Sequence, residues 1–182
     1  GGVGMLYDGG GNDGYRGVWY VMGATAHFAA SAFVDESGDD LYVADMNMAM
    51  GAGHAYSVSY FLDAAGNDIY TAPNLSLGAG NANGIGIFID LSGSDIYNGK
   101  GISLGGAAIE VTSPALSRYF SLSLGVFLDA AGRDTYNLDK LSPKTLAPAD
   151  GCTWLHKRSD KASPYEKGIG IDSDEPLKIP EL

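Results

Sequence analysis

Cysteine, basic residues and long apolar runs are scarce in this chain, and each scarcity excludes a class of protein. Cys152 is the only cysteine, so no disulfide can form within the chain. The 11 Lys and Arg residues are outnumbered by 22 Asp and Glu residues, giving a net charge of −11. This charge argues against nucleic acid as a partner, because that binding depends on basic side chains. No run approaches the roughly 18 apolar residues of a membrane-spanning helix, so we expect no membrane span.

Glycine, by contrast, is abundant and recurs in a repeated phrase. The chain has 27 glycines, and five segments read apolar-Asp-x-x-Gly-x-Asp-x-Tyr, namely MLYDGGGNDGY, AFVDESGDDLY, FLDAAGNDIY, IFIDLSGSDIY and VFLDAAGRDTY. Their first aspartates stand at positions 8, 35, 63, 90 and 129, so the spacings are 27, 28, 27 and 39 residues. A fixed period of this length is typical of solenoids. We predict that residues 1–136 form an all-β domain, a parallel β-solenoid of about five 27–28-residue repeats.

The array departs from its period at three places. The spacing of 39 predicts an insertion near residues 107–121, and the first repeat is expected to be N-terminally truncated. Residues 137–182 hold five of the seven prolines and seven of the 11 Lys and Arg residues. Since proline disfavours helices and interior strands, we predict an irregular C-terminal cap with one short helix near CTWLHKR. The apolar residues expected to hold this cap are Leu138, Leu141, Leu146, Trp154 and Ile171.

Each phrase carries two aspartates, and only the first is explained by the turn. Asp-x-x-Gly fits a type I turn whose first side chain accepts turn N–H groups, whereas the second aspartate lies in a strand-like context that disfavours it. Stacked coils would place equivalent carboxylates about 4.8 Å apart, where they repel. Oxygen ligands beside glycine turns suit Ca²⁺, and hydrated caps without metal are the alternative. The predicted metal ligands are Asp8, Asp13, Asp35, Asp40, Asp63, Asp68, Asp90, Asp95, Asp129 and Asp134.

The segments GGGNDGY, AAGNDIY, LSGSDIY and AAGRDTY resemble the second half of the calcium-binding nonapeptide of repeats-in-toxin (RTX) proteins. That resemblance implies a parallel β-roll in which glycine turns and aspartates bind Ca²⁺ between coils. The whole phrase is also similar to bacterial Asp-x-x-Gly-x-Asp-x-Tyr repeat proteins. A weaker resemblance, to tyrosine-aspartate hairpin repeats, implies instead spiralling antiparallel β-hairpins.

Aromatic residues and histidines recur in phase with the repeat. We predict that the phenylalanines two residues before the first aspartate and the tyrosines two residues after the second stack in the core, with sugar binding by exposed rings as the alternative. His54 shares its phase with Asn81, and His27 lies one residue out of that phase, so a transition-metal site there is a further hypothesis.

These patterns favour a non-enzymatic, calcium-binding structural or adhesive module of a bacterial cell-surface or secreted protein. The expected partners are calcium ions, with cell-surface polysaccharide or further repeats of the same array as further candidates. The alternative is a carbohydrate-active or carbohydrate-binding β-helix, in which acidic groove residues would act as general acid and base. Glu110 is the acidic residue that breaks the repeat in a predicted loop, but it has no evident partner.

Overall fold

The computed structural model describes residues 1–109, 117–139, 148–156 and 163–177. Within these ranges the secondary structure is almost entirely β, with one 3₁₀ helix at Ser117–Phe120. The strands are β1 (Val3–Asp8), β2 (Gly14–Gly17), β3 (Thr25–Ala26), β4 (Ala30–Asp35), β5 (Leu41–Ala44), β6 (Gly53–His54), β7 (Val58–Asp63), β8 (Ile69–Thr71), β9 (Gly80–Asn81), β10 (Ile85–Asp90), β11 (Ile96–Lys100), β12 (Ala107–Ala108), β13 (Ser123–Ala130), β14 (Thr135–Asp139), β15 (Thr153–Leu155) and β16 (Glu166–Ser173).

The strands form three sheets, and from β1 to β14 each sheet takes every third strand. The sheet orders are β1-β4-β7-β10-β13-β16-β15, β14-β11-β8-β5-β2 and β12-β9-β6-β3. We call three consecutive strands that contribute one strand to each sheet a coil. All neighbours pair in parallel except β15 and β16. The all-β, parallel prediction is confirmed and is consistent with the β-solenoid class, whereas the antiparallel hairpin alternative is wrong.

The register places equivalent residues of the repeated phrase side by side. Asp35 pairs with Asp8 on one side and with Asp63 on the other, and Asp63 pairs with Asp90. The insertion does not interrupt the first sheet, since Ile85 of β10 pairs directly with Leu124 of β13. Of the predicted insertion, residues 110–116 lie outside the described residues.

The core lies between the sheets and consists of stacked aromatic rings. Along β7, Phe61 and Asp63 are buried while the alternate residues Val58 and Leu62 lie on the outer face. The Phe61 ring stacks on Phe33 and Phe88 with centroids 5.0 and 4.9 Å apart, and the tyrosines form a second stack. The buried ladder rings include Phe33, Phe61, Phe88, Phe127, Tyr42, Tyr70 and Tyr97. The prediction of core ladders is confirmed, and these buried rings offer no face to a sugar.

The described part of the C-terminal segment adds two strands to the first sheet, where the sequence predicted irregular structure. β16 pairs in parallel with β13, and β15 adds an antiparallel strand at the edge. The predicted short helix near CTWLHKR is wrong at Thr153–Leu155, because those residues pair with β16. The predicted cap residues Leu141 and Leu146 lie outside the described residues, and Ile171 lies on the outer face of β16, 36% exposed.

Trp154 closes the aromatic ladder from a different strand. Gly170 occupies the register position of Phe127 in the neighbouring strand. A Cβ atom at Gly170 would lie 2.0 Å from the Trp154 ring, which is itself buried against the aromatic core. The indole Nε1 donates to the Leu104 carbonyl (3.0 Å). The missing ring of β16 is therefore replaced by the indole of β15, as expected of a cap residue.

Candidate metal centre

Both aspartates of the phrase point into the protein, and strand alternation is the reason. Phe61 and Asp63 are two residues apart and share the inner face of β7. Asp68 and Tyr70 are likewise two residues apart, and both are buried. Because the turn between β7 and β8 joins two inner faces, the two carboxylates meet at one buried corner of each coil.

The corner carboxylates of neighbouring coils come together in groups of three. In each group one oxygen from every residue lies within 4.8 Å of the others. We call the groups junction clusters one to four. They are Asp40, Asp63 and Asp68; Asp68, Asp90 and Asp95; Asp95, Asp129 and Asp134; and Asp134, Asp150 and Asp172.

The first aspartate of the three middle phrases serves both its own turn and the preceding coil. Asp63 Oδ1 accepts the N–H of Ala65 in the turn (3.2 Å). Its Oδ2 accepts the hydroxyl of Tyr42 from the preceding coil (2.6 Å). Tyr70 donates to Asp90 in the same way (2.6 Å). These bonds explain the turn capping predicted from the sequence, and they add a tyrosine contact between coils.

The second aspartate bonds the backbone of the preceding coil through one oxygen only. Asp68 Oδ1 accepts the N–H of Asp40 (2.6 Å), and Asp95 Oδ1 accepts the N–H of Asp68 (2.7 Å). The other oxygens, Asp68 Oδ2 and Asp95 Oδ2, are buried and have no hydrogen-bond partner, and the same is true of Asp129 Oδ1. Junction clusters one to three therefore each hold at least one buried carboxylate oxygen without a partner.

Within the part of the chain that the structure describes, no cationic side chain forms an ion pair with these buried carboxylates. Among the described residues the one ion pair joins Arg16 to Asp45 (3.0 Å), both outside the junction clusters. Burying a carboxylate without a partner is costly, so the group must hold a proton or a cation. The ligand set consists of oxygen atoms without Cys or His, which suits Ca²⁺ better than a transition metal.

The acidities of the clustered aspartates reflect this burial. Burial raises the pKa of Asp68 to about 7 and that of Asp95 to about 8. Burial also raises the pKa of Asp129 to about 8, and the nearby charge of Asp134 adds to the rise. Without a cation these carboxyl groups hold a substantial share of their protons at neutral pH, because their charged forms are poorly solvated.

The turn glycines allow a backbone carbonyl to approach each junction. A Cβ atom at Gly93 would lie 1.9 Å from the Gly66 carbonyl oxygen and 2.7 and 2.9 Å from the two Asp95 carboxylate oxygens. A side chain is therefore excluded where a carbonyl of the preceding coil and a junction carboxylate converge. Carbonyl oxygens are common ligands of Ca²⁺.

Seven of the ten predicted ligands enter junction clusters, and three do not. The seven are Asp40, Asp63, Asp68, Asp90, Asp95, Asp129 and Asp134. Asp35 is buried and accepts the hydroxyl of Tyr15 (2.8 Å). Asp8 and Asp13 are half-buried at the N-terminal end, where no described coil precedes them.

Asp150 and Asp172 complete junction cluster four and were missed by the sequence patterns. Asp172 pairs with Asp129 in β13, so it takes the place of a first aspartate. Asp150 Oδ1 accepts the N–H of Asp134 (2.7 Å), as a second aspartate does elsewhere. The GIGID segment that ends at Asp172 resembles the strands that precede the other first aspartates, so the sequence contained a weak indication of Asp172. Asp150 could not be recognised as a second aspartate, because it comes before Asp172 in the chain instead of five residues after it.

Among the described residues, the remaining candidates form no comparable site. His54 pairs with Asn81 as its phase predicted, and its ring lies 5.6 Å from that of His27, but no third ligand joins them in a cluster of the described residues. Glu110 lies outside the described residues.

No protein-family model, curated protein sequence or solved structure matches this chain. In the described part of the chain, no helix has the length and apolarity needed to cross a membrane. The interpretation of the junction clusters therefore depends on their geometry and on the chemistry of their oxygen atoms.

Proposed function

We propose that this chain is a non-enzymatic, calcium-binding structural or adhesive module of a bacterial cell-surface or secreted protein. In this proposal about five 27–28-residue repeats form a solenoid, and calcium ions between coils stiffen it. The observation that carries the proposal is the unpartnered buried oxygen of Asp68, Asp95 and Asp129, which gives each of three successive clusters at least one such residue. The resemblance of the Gly-x-Asp-x-Tyr segments to RTX repeats supports calcium as the ion and the cell exterior as the location.

The repetition of the site favours a structural role over catalysis. An active site needs particular residues that differ from the repeat, whereas here the carboxylates are the repeat itself. The aromatic ladders that would have stacked on a sugar are buried, which removes one reason for the carbohydrate alternative. We therefore propose calcium, and further repeats of the same class, as the partners.

Calcium should raise the melting temperature of the full chain. An ion at about 100 times its Kd stabilises the folded state by about 2.7 kcal/mol per site. At about 2–4 °C per kcal/mol for a chain of this size, each occupied site should add about 5–11 °C. Differential scanning calorimetry in calcium, in magnesium and in excess chelator measures the effect, and Mg²⁺ should be a poor substitute because it demands a tight octahedral shell.

Asp68→Asn tests the clusters directly, since Asp68 belongs to two of them. In calcium the variant should melt lower and bind fewer ions by metal analysis, because two sites lose a charged ligand. In excess chelator near pH 8 it should be neutral or stabilising, because it removes a buried charge while Asn Oδ1 can still accept the Asp40 N–H. Asp39→Asn, at an exposed neighbouring carboxylate, is the matched control.

Equal destabilisation of Asp68→Asn in calcium and in chelator would contradict the proposal. So would identical melting curves of the parent chain in the two buffers. Either result would make the clusters hydrogen-bonded caps that hold protons instead of ions.

A further inference from the structure

The N-terminal end exposes a position that is buried in the following coils. Leu6 pairs with Phe33 in the first sheet, yet Leu6 is 44% exposed whereas Phe33 is 3% exposed. Phe28 stacks on Tyr56 of the next coil (5.4 Å), and 73% of the Phe28 surface is exposed. These side chains have a neighbour on the C-terminal side only, so the aromatic and aliphatic ladders end in an open face.

The backbone is open at the same end. β1, β2 and β3 are each the terminal strand of their sheet. Edge strands usually carry Lys, Pro or a bulge that prevents pairing, but β1 reads VGMLYD and has neither Lys nor Pro. A cavity of about 490 Å³ lies at this end, and its lining includes Met5, Leu6, Tyr15, Val21, Met22 and Phe33.

We propose that this end is a docking face for one further coil of the same repeat class, stacked in parallel over β1, β2 and β3. We call the face formed by these three strands the N-terminal face. The hydrogen bonds that recur between neighbouring coils indicate what would bind to this face. Each turn needs a tyrosine hydroxyl and a backbone N–H from the coil before it, as Asp63 and Asp68 receive from Tyr42 and Asp40.

Asp8 and Asp13 hold the corresponding positions on the N-terminal face, since Asp8 pairs with Asp35 and Asp13 is the second aspartate of the same phrase. A Gly-x-Asp-x-Tyr segment laid over them would supply both donors. It would also place a third carboxylate beside Asp8 and Asp13, as in junction cluster one. The face thus matches the coil interface that already recurs along the molecule.

A second copy of the chain fits this face less well. Two copies related by a two-fold axis would pair β1 with its counterpart in antiparallel fashion, whereas β1 to β16 pair in parallel along the first sheet. A head-to-tail contact is opposed by β15 and Trp154, which already close the other end. The tyrosine of the repeated phrase at that end, Tyr136, already donates its hydroxyl to Asp172.

The test adds one coil to the full chain. A duplicate of residues 29–55 is fused ahead of Gly1, which reproduces the 28-residue spacing between β4 and β7. The matched control carries Phe33→Ser and Tyr42→Ser within the duplicate alone. Amide hydrogen exchange of β1 is followed by mass spectrometry in calcium and in chelator. The parent chain is sized by light scattering in a reducing buffer, because Cys152 is exposed.

Exchange of the β1 amides should slow roughly 100-fold in the extended chain, because an edge strand becomes an interior one. The control should exchange like the parent. Equal exchange in the extended chain and the control would overturn the proposal. A parent chain that dimerises with its β1 amides already protected would also overturn it, since the face would then belong to a second copy. Failure of calcium to bind would leave this result unchanged, so the two proposals fail separately.

Discussion

Replacing Trp154 by Ala should open the C-terminal end of the aromatic core. The indole is 2% exposed, its centroid lies 5.6 Å from that of Phe127, and its Nε1 bonds the Leu104 carbonyl. Truncating a buried Trp to Ala typically costs about 3–5 kcal/mol. At about 2–4 °C per kcal/mol, the melting temperature should fall by about 6–20 °C.

The structure also predicts which second change restores stability. Gly170 holds the register position of Phe127 but has no side chain, because the Trp154 ring fills that space. Gly170→Phe alone should therefore destabilise by overpacking. Combined with Trp154→Ala, it should restore a ring to the ladder, so the two changes should be coupled by about 1–3 kcal/mol in the favourable direction.

Urea unfolding followed by far-ultraviolet circular dichroism measures all four members of this cycle without relying on the lost indole. Leu155→Ala is the matched control, since Leu155 lies in the same strand and is 57% exposed. Its effect should stay within about 0.5 kcal/mol. Additive effects of Trp154→Ala and Gly170→Phe, or a loss below about 1 kcal/mol for Trp154→Ala, would refute the assignment of Trp154 as the replacement ring.

Three further predictions concern the repeats. Phe61→Ala should lower the free energy of unfolding, measured in urea, by about 3–5 kcal/mol. Val58→Ala, on the outer face, should have a small effect. Equal effects of the two changes would contradict the assignment of Phe61 to the core ladder. Gly66→Ala should cost about 3 kcal/mol or more, because its Cβ would lie 1.8 Å from a carbonyl oxygen, whereas Gly14→Ala meets no atom within 4 Å and should be tolerated. In excess chelator the free energy of unfolding should fall as pH rises from about 5 to 9. Carboxyl groups such as Asp95, whose folded pKa of about 8 exceeds the usual 3.8, contribute stability that is lost as pH rises through the folded value. A rise over that range, measured by urea titration at each pH, would show that other groups dominate, and saturating calcium should remove the fall.

The repeated phrase predicted more than its turns. The Asp-x-x-Gly pattern recurs with a constant period, which predicts stacked equivalent units. The structure agrees, because Asp8 pairs with Asp35 and Asp35 pairs with Asp63 in neighbouring strands. The alternation Phe-x-Asp and Asp-x-Tyr also implied that each carboxylate shares a face with its neighbouring aromatic ring. Because the ring is core, the carboxylate must be buried too, as Asp63 and Asp68 are.

The requirement for glycine in the turn was only partly predictable. Glycine is common in turns because it adopts a positive φ without strain, and Gly38 has a φ of +148°. At Gly66 the reason is the carbonyl of the preceding coil, which leaves no room for a Cβ atom. A contact of this kind depends on a residue a full repeat away, so no local pattern reports it.

The sequence by itself determined the parts of this protein that repeat, because periodic residues in a stacked array meet their own equivalents. Period, parallel strands, aromatic ladders and paired aspartates all follow from that rule. Only the tertiary structure decided the C-terminal end, where Asp150 and Trp154 take the places of a second aspartate and a ring. Both residues come from the chain segment that precedes β16. In the repeats the first aspartate comes before the second along the chain, whereas at this end the residue in the second position comes first. Sequence periodicity cannot encode a contact that breaks the chain order, whereas packing and hydrogen bonding select it readily.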